Sequence, residues 1–319
     1  MPDYIKNKKV LIVGVGVIAQ EYAKILTELA YSFVVIGRSA DNVEKFQMQT
    51  GIPAIAGGVD IFCKQHDLKF DAAFVAVGIE SLASVTISLL HYGIKNILVE
   101  KPGANSLLEI SAVASLAKQQ QAHVLLAYNR RFFSSVLKAK EIIKEDGGVS
   151  SFNFEFTEWG HEIESLPYSA DIKQNWLMAN SSHVIDMAFY MGGFPEQIVC
   201  FSKDELSWHK PANFSGAGIS QSKALFSYQA NWDAPGRWGV EMISKKHRLI
   251  FRPLEKLQIQ KKGSVEINLS EIDNILDVKY KPGFYRQVES FLSGDYSNFC
   301  TIFDQQNNVE KYYTKILGV

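Results

Sequence analysis

Short apolar runs alternate with segments of helical periodicity through the first half of the chain. Val10 to Val13 is a short continuous apolar run that is rich in β-branched residues, which is typical of a strand buried on both faces. After it, apolar residues recur at helical spacing from Ile18 to Leu29. Such alternation indicates parallel strands joined by right-handed crossovers in a doubly wound sheet. The same patterns predict further strands over 33–36, 70–77, 96–100 and 123–128, and helices over 42–50, 82–92 and 107–119.

The pattern changes after residue 150. Phe152, Phe154 and Phe156 alternate with polar residues, and the segment 223–231 alternates in the same way. Period-two alternation predicts strands of an antiparallel sheet with one packed face. The fold class is therefore α/β, with a doubly wound parallel domain over 1–122 and an α+β domain with a large, mainly antiparallel open-faced sheet over 123–319. Later strands are predicted over 238–244, 248–251, 257–260 and 265–269, and closing helices over 285–292 and 303–317.

A glycine turn joins the first predicted strand to the first predicted helix. Gly14 to Ala19 fits the pattern G-x-G-x-x-A, and Val17 and Ile18 open the helix. Gly14 allows the tight turn, and Gly16 lets the backbone approach a pyrophosphate at the helix N-terminus. In this strand–turn–helix context the motif predicts a Rossmann dinucleotide site. The alternative interpretation is a glycine-rich turn that binds no ligand.

The end of the second strand bears on which dinucleotide is bound. An Asp or Glu there would bind the 2′-hydroxyl of the adenosine ribose, but the chain continues Gly37, Arg38 and Ser39. Arginine is the planar bidentate partner of phosphate, so this ending favours NADP(H), with NAD(H) possible. The alternative is that Arg38 is a solvated loop residue. Asp41 lies beyond the strand end and is expected to cap the next helix.

Composition and charge exclude several other classes of protein. Of 319 residues, 47% are hydrophobic and 21% are charged, and the net charge is −1. A balanced charge gives no positive field for nucleic acid, and no apolar run is long enough to cross a membrane. The chain starts like a signal peptide, but Gly14 and Gly16 interrupt the apolar run, so a cytoplasmic protein is expected. Three distant cysteines predict neither a disulfide framework nor a metal site.

Three further motifs carry a resemblance to a known family. They are Glu-Lys-Pro at 100–102, Asn-Arg-Arg-Phe at 129–132 and His-x-x-Asp at 183–186. On these motifs the sequence resembles the glucose–fructose oxidoreductase and inositol dehydrogenase family (Gfo/Idh/MocA) over essentially its full length. The resemblance implies NAD(P)-dependent oxidation or reduction of a carbinol carbon on a sugar, a cyclitol or a nucleotide sugar.

The resemblance also implies roles for individual residues. Lys101 would touch the reacting oxygen and help to position the nicotinamide, and a cis bond before Pro102 would aim it. His183 would move the proton, and Asp186 would orient His183 or pack structurally. The expected cofactor-binding residues are Gly14, Gly16, Val17, Ile18, Gly37, Arg38, Ser39, Val77, Gly78, Glu100, Lys101, Pro102 and Asn129.

On the substrate side, Trp176 is expected either to offer a flat face to a sugar ring or to pack in the core. The two loops that contain Arg237 and Lys281 are rich in cations and aromatic residues, and these cations could hold a phosphate or a carboxylate. A homodimer or homotetramer is expected, because sheets of this kind associate face to face in the family. The expected substrate-binding residues are Lys101, Arg130, Trp176, Asn180, His183, Arg237 and Tyr280.

Two departures from the family pattern leave a second hypothesis open. Many relatives carry Asp four residues before the histidine, where this chain has Ala179, with Asn180 beside it. The third family strand usually ends in Thr-Pro or Thr-Asn, where this chain has Val77 and Gly78. We therefore predict an oxidoreductase that acts on a sugar-like small molecule, and keep a non-catalytic NADP-binding sensor or scaffold as the alternative.

Overall fold

The computed structural model describes residues 8–318 and contains two compact units. The first comprises the chain up to Tyr128 together with Lys279–Gln306, and the second comprises Asn129–Val278 and the chain from Asn307 onwards. The predicted boundary at residue 122 differs from this division, because the strand His123–Leu126 lies in the first sheet. The sequence did not predict that residues 279–306 return to the first unit. A helical pattern shows that a helix forms, but it does not show which sheet the helix covers.

The sheet of the first unit follows the predicted alternation. Within the described residues it has seven strands, and every neighbouring pair is parallel except the last, in which the short strand Cys300–Thr301 pairs antiparallel with β6. From that short strand the order is β6, β5, β4, β1, β2, β3. The strands are β1 (Lys9–Val13), β2 (Ser32–Gly37), β3 (Ala54–Ala56), β4 (Ala72–Val75), β5 (Asn96–Val99) and β6 (His123–Leu126).

A capping residue sets the start of one helix in this unit. Helix α2 begins after Ser39, whose hydroxyl accepts a bond from the Asn42 amide at 3.3 Å, so Ser39 caps this helix and Asp41 lies in its first turn instead. Strand β3 and helix α3 were not predicted, since β3 has only three residues and two glycines, Gly57 and Gly58, stand at the start of the helix. The helices are α1 (Val17–Glu28), α2 (Ala40–Thr50), α3 (Gly58–Gln65), α4 (Leu82–His91) and α5 (Leu107–Gln120).

The sheet of the second unit is mainly antiparallel, as predicted. In the part of the chain that the structure describes it has eight strands, of which only β7 and β10 pair in parallel. Its order is β14, β13, β12, β11, β7, β10, β9, β8. The strands are β7 (Ser151–Glu155), β8 (Pro195–Lys203), β9 (Asn213–Ser220), β10 (Leu225–Asn231), β11 (Gly239–Ile243), β12 (His247–Phe251), β13 (Gln258–Lys261) and β14 (Ile267–Leu269).

Strands β8 and β9 were not predicted from the sequence. The glycines of β9 explain why that strand was missed. A Cβ on Gly216 would meet the Tyr228 ring at 2.4 Å, and one on Gly218 would meet the Gln197 carbonyl oxygen at 2.1 Å. Glycine therefore leaves room for neighbouring groups here, at the expense of the alternating pattern that identifies a strand.

One helix, α9, covers the packed face of this sheet and begins beside the predicted catalytic histidine. Its Phe189 meets Phe154 edge to face, with ring centroids 5.4 Å apart, so the helix is fixed on the core of the sheet. The helices of this unit up to that point are α6 (Ser134–Glu145), α7 (Gly160–Glu164), α8 (Ala170–Gln174) and α9 (Ser182–Gly192).

The end of the chain is helical but not continuous. The single helix predicted over 303–317 is divided by a π-helical turn, Val309–Tyr313. None of the helices in residues 8–318 is long and apolar enough to cross a membrane. The remaining helices are α10 (Ile275–Lys279), α11 (Phe284–Ser293), α12 (Ile302–Asn308) and α13 (Thr314–Leu317).

Candidate cofactor and substrate sites

A cavity of about 900 Å³ lies in the first unit at the carboxyl ends of β1, β2 and β4. This end of a doubly wound sheet is where such folds bind ligands. Val17 does not line this cavity, although it begins the adjoining helix α1 and is 72% exposed. We call this space the cofactor cavity. It brings together eight predicted residues, Gly14, Gly16, Ile18, Gly37, Arg38, Ser39, Val77 and Gly78.

The two glycines of the turn serve different purposes. Gly14 has φ +122°, and a Cβ on it would lie 2.1 Å from the Ala76 carbonyl oxygen, so the fold itself requires glycine. Gly16 has φ −82°, and nothing lies within 4 Å of a Cβ built on it. Because Gly16 precedes helix α1 with no side-chain cap, the open space faces unsatisfied backbone N–H groups. This space fits the pyrophosphate of a dinucleotide.

The second wall of the cofactor cavity follows β2. Gly37 has no room for a side chain, since a Cβ would lie 2.7 Å from Val43. Arg38 is exposed there, and Ser39 lies beside it. Asp60 also lines the cavity, and its carboxylate accepts a bond from Ser88 Oγ at 2.7 Å. The wall therefore presents a guanidinium and a hydroxyl directly after the strand.

The Glu-Lys-Pro segment follows β5 and is held from both sides within the first unit. Glu100 accepts a 2.6 Å bond from the hydroxyl of Tyr22, and burial together with the Glu100 charge raises the pKa of Tyr22 well above its usual value. The Pro102 carbonyl accepts a bond from Gln305 Nε2 at 3.2 Å. The Lys101–Pro102 bond is cis, as expected, and Lys101 is half-buried.

In the second unit a buried ion pair fixes the helix that carries His183. Arg131 donates from Nε and Nη2 to the two oxygens of Asp186 at 2.8 and 2.6 Å, and both side chains are at most 5% exposed. Asp186 was expected to orient His183 or to pack structurally. Its carboxylate bonds Arg131, so it joins the segment Asn129–Phe132 to α9, which is the structural role.

Three residues that were predicted to bind substrate lie around the ring of Trp238. They are Arg130, His183 and Arg237. The guanidinium of Arg130 lies 4.9 Å from the Trp238 ring centroid and that of Arg237 lies 4.8 Å from it, while the His183 ring is 6.3 Å away. Arg130 Nη1 also donates to Asn129 Oδ1 at 3.5 Å. Trp238 and His183 are 8% and 7% exposed. Cation–π contact with an indole holds both guanidinium groups in place.

A carboxylate that the sequence analysis missed lies against this group. Glu158 is 2% exposed and accepts bonds from Asn180 Nδ2 at 3.0 Å, Ser181 Oγ at 2.7 Å and Arg237 Nη1 at 3.4 Å. Burial raises the pKa of Glu158, and these donors oppose the rise. Trp159, 50% exposed, lies 4.9 Å from the Arg237 guanidinium. We call Arg130, Glu158, Trp159, Asn180, Ser181, His183, Arg237 and Trp238 the Trp238 cluster.

Two other predicted substrate-binding residues pack against different neighbours within their own units. Trp176 is 7% exposed and packs against Trp208 and Tyr168, with ring centroids 6.3 and 5.7 Å away, so it belongs to the core, as one of the two interpretations held. Tyr280 is a residue of the first unit. Its ring centroid lies 4.9 Å from Nζ of Lys24, a residue in the second half of α1. It does not line the cofactor cavity, whose α1 residues are at the start of that helix.

Comparison with known proteins identifies the family. A family model described as the oxidoreductase family with an NAD-binding Rossmann fold, GFO_IDH_MocA, matches residues 8–128. That segment contains the glycine turn, the β2 ending and the Glu-Lys-Pro motif. The segment 8–128 is a Gfo/Idh/MocA Rossmann domain. The resemblance inferred from three short motifs is thereby confirmed, and with it the NAD-binding Rossmann fold of the first unit.

Solved structures share the fold of this chain over both units. UDP-N-acetylglucosamine 3-dehydrogenase GnnA from Acidithiobacillus ferrooxidans is 14% identical with TM-score 0.75, covering 98% of each chain. Levoglucosan dehydrogenase in complex with NADH is 16% identical with TM-score 0.77, covering 98% of this chain and 96% of that one. A super-repressor mutant of Gal80p from Saccharomyces cerevisiae is 14% identical with TM-score 0.77, at the same coverage. No curated protein matches the sequence.

Proposed function

We propose that this protein is an NAD(P)-dependent oxidoreductase that transfers hydride to or from a hydroxyl or keto carbon of a sugar, cyclitol or nucleotide sugar. The observation that carries the proposal is the cofactor cavity, in which Gly16 leaves open space at the N-terminus of α1. When bound, the nicotinamide supplies the hydride acceptor or donor. The activities that the names of GnnA and levoglucosan dehydrogenase state support a sugar-like substrate.

In this proposal the protein contributes charge and proton transfer. Lys101 places an ammonium where negative charge develops on the substrate oxygen, and His183 accepts or returns the proton. Both side chains are at least partly withdrawn from water, which strengthens electrostatic stabilisation. With Ala179 in place of an acid, proton transfer rests on these two residues.

NADP(H) is the favoured cofactor. No carboxylate directly follows β2, and the exposed Arg38 and neighbouring Ser39 provide a cation and a hydroxyl on the cavity wall. A guanidinium binds a 2′-phosphate through charge-assisted hydrogen bonds.

Two substitutions test the proposal. Arg38→Ala should weaken NADPH binding by about tenfold to a hundredfold and leave NADH nearly unaffected, because one charge-assisted contact is lost. Lys101→Ala should abolish turnover of a sugar and nucleotide-sugar panel while NADPH still binds. Arg248→Ala, which removes another exposed arginine, is the matched control for Arg38. Equal loss of NADPH and NADH affinity in Arg38→Ala would contradict the cofactor preference, and normal turnover in Lys101→Ala would contradict the catalytic assignment.

A non-catalytic NADP-binding sensor is the second candidate, and Ala179 is the observation that favours it. This residue stands where many relatives carry an acid, and it is 3% exposed. Tight NADPH binding with no turnover on a broad panel would support the sensor. Redox change of the bound cofactor with any member of the panel would support the enzyme.

The protein is also proposed to form a homodimer or homotetramer through the open face of its second sheet. That face carries Val199 and Phe201, which are 61% and 70% exposed on β8. Apolar side chains of this size on a sheet face favour association. Light scattering of Phe201→Glu against the unmodified protein tests this, with a smaller mass expected for the variant.

A further inference from the structure

The carboxylate of Glu158 determines how the Asn180 side chain is turned. A carboxylate can only accept hydrogen bonds, so the Asn180 amide must direct its NH₂ group towards Glu158, at 3.0 Å. Its carbonyl oxygen, Oδ1, is then on the opposite side of the amide. Within residues 8–318 no group donates to that oxygen, and Asn180 is partly exposed. The pair therefore leaves a fixed hydrogen-bond acceptor.

This acceptor stands next to Ala179, where the family resemblance implies an acid. Asn180 adjoins Ala179, and both lie in the π-helical turn Leu177–Ser181 that leads directly into α9 and His183. The same oxygen of Glu158 also accepts from Ser181, so the carboxylate bonds two consecutive residues of that turn. A π-turn frequently marks a functional position in a helix.

The other Glu158 oxygen fixes a donor and an aromatic face. It accepts from Arg237 Nη1, the single hydrogen bond of this guanidinium among the described residues. Arg237 lies on both Trp159 and Trp238, and Trp159 donates to the Gly236 carbonyl at 3.0 Å, which holds its half-exposed ring. A fixed acceptor, a fixed donor and an indole face together match a ring that carries hydroxyl groups.

We propose that Glu158 is a positioning residue of the substrate site, which turns the Asn180 amide so that its carbonyl oxygen accepts a hydrogen bond from a hydroxyl of a sugar or cyclitol ring. The inference rests on the proposed function for the identity of the reaction, but hydroxyl binding itself requires no turnover. Glu158→Gln keeps the size of the side chain and introduces an NH₂ group, so Asn180 is no longer forced into one orientation.

A double-mutant cycle tests whether Glu158 acts through Asn180. In the full-length protein with NADPH bound, the Kd of D-glucose, myo-inositol and UDP-N-acetylglucosamine is followed by tryptophan fluorescence, and KM and kcat are measured for any probe that reacts. Glu158→Gln and Asn180→Ala should each raise Kd or KM by about fivefold to tenfold, the value of one hydrogen bond. The double variant should match Asn180→Ala alone, because the two changes remove one interaction.

The matched control is Glu155→Gln, the same change at the end of β7, where the carboxylate binds Arg252 at 2.9 Å instead. It should leave sugar binding unchanged. Additive effects in the cycle, no effect of Glu158→Gln, an equal loss in Glu155→Gln, or no binding of any probe to the unmodified protein would each overturn the inference. If the cycle holds but the cofactor is never oxidised or reduced, the positioning role stands and the proposed function fails.

Discussion

The cofactor cavity and the Trp238 cluster differ in the part of the chain that does the binding. The cavity is lined by glycines and by the free backbone N–H groups at the start of α1, and its principal charged contribution after β2 is Arg38. The Trp238 cluster is built from side chains, with a buried carboxylate, two guanidinium groups and two indoles.

This difference indicates what each region can recognise. Backbone amides bind phosphate in the same way whatever side chains surround them, so the cavity is general for dinucleotides. A set of side chains that hold one another in place is specific, because each depends on the others for its orientation. Substitutions should therefore affect the cavity through steric fit, and the cluster through charge and hydrogen bonding.

The largest expected effect comes from breaking the buried ion pair between Arg131 and Asp186. Asp186→Ala leaves the Arg131 guanidinium buried without its carboxylate, and we expect the free energy of unfolding to fall by about 3–5 kcal/mol. Urea unfolding followed by circular dichroism measures it. Glu141→Ala is the control, because it breaks an exposed pair with Lys138 and should cost less than about 1 kcal/mol. Equal losses would show that side-chain charges do not hold this region.

The next effect tests the backbone character of the cavity. Gly14→Ala puts a methyl group against the Ala76 carbonyl at a positive φ, so we expect a loss of about 2–4 kcal/mol in the free energy of unfolding. Thermal and urea unfolding measure this loss. A stable Gly14→Ala protein would mean that the turn is not constrained by its contact with β4.

A matched substitution two residues later should act on the ligand instead. At Gly16 a methyl group meets nothing, so Gly16→Ala should keep stability within about 0.5 kcal/mol. It enters the space proposed for the pyrophosphate, and NADPH affinity should fall by at least about tenfold. Calorimetric titration with NADPH measures it. Unchanged affinity would place the pyrophosphate elsewhere.

The same contrast explains what the sequence could predict. Gly14, Gly16 and the strand–helix alternation are local patterns, so the first sheet and its cavity followed from neighbouring residues. Glu158 meets Ser181 and Arg237 across separations of 23 and 79 residues, and no local pattern records such contacts. In the sequence, Trp238 stands out only as the neighbour of Arg237 at the start of the strand predicted over 238–244. A glutamate after a period-two strand gives no sign that it will be buried.

Tyr22 and Gln305 illustrate a second limit. Tyr22 falls on the predicted buried face of α1, where its hydroxyl needs a partner, but no neighbouring residue identifies that partner as Glu100, which is 78 residues away. Gln305 is fully buried and bonds both Tyr128 and the Pro102 carbonyl, but it comes from a distant segment that returns to the first unit. Supporting residues of this kind become visible only with the tertiary structure.

The smallest effect concerns the cost of burying the Glu158 charge. Burial raises the pKa of Glu158 above that of an exposed glutamate, despite the donors Ser181, Arg237 and Asn180. At pH values between the pKa of Glu158 in the unfolded chain and its higher pKa in the folded protein, the folded protein binds the proton more tightly. The free energy of unfolding therefore falls as pH rises through this range. Glu158→Gln has no such proton.

The difference in unfolding free energy, variant minus unmodified protein, should therefore increase with pH above the ordinary glutamate value of 4.5, by at most about 1.4 kcal/mol per pH unit. Urea unfolding of both proteins at a series of pH values measures it. Ser181→Ala should widen the pH window, because it removes a donor that lowers the pKa of Glu158. A difference that stays flat, or that decreases with pH, would mean that the donors outweigh burial. The Trp238 cluster would then hold its carboxylate without an electrostatic cost.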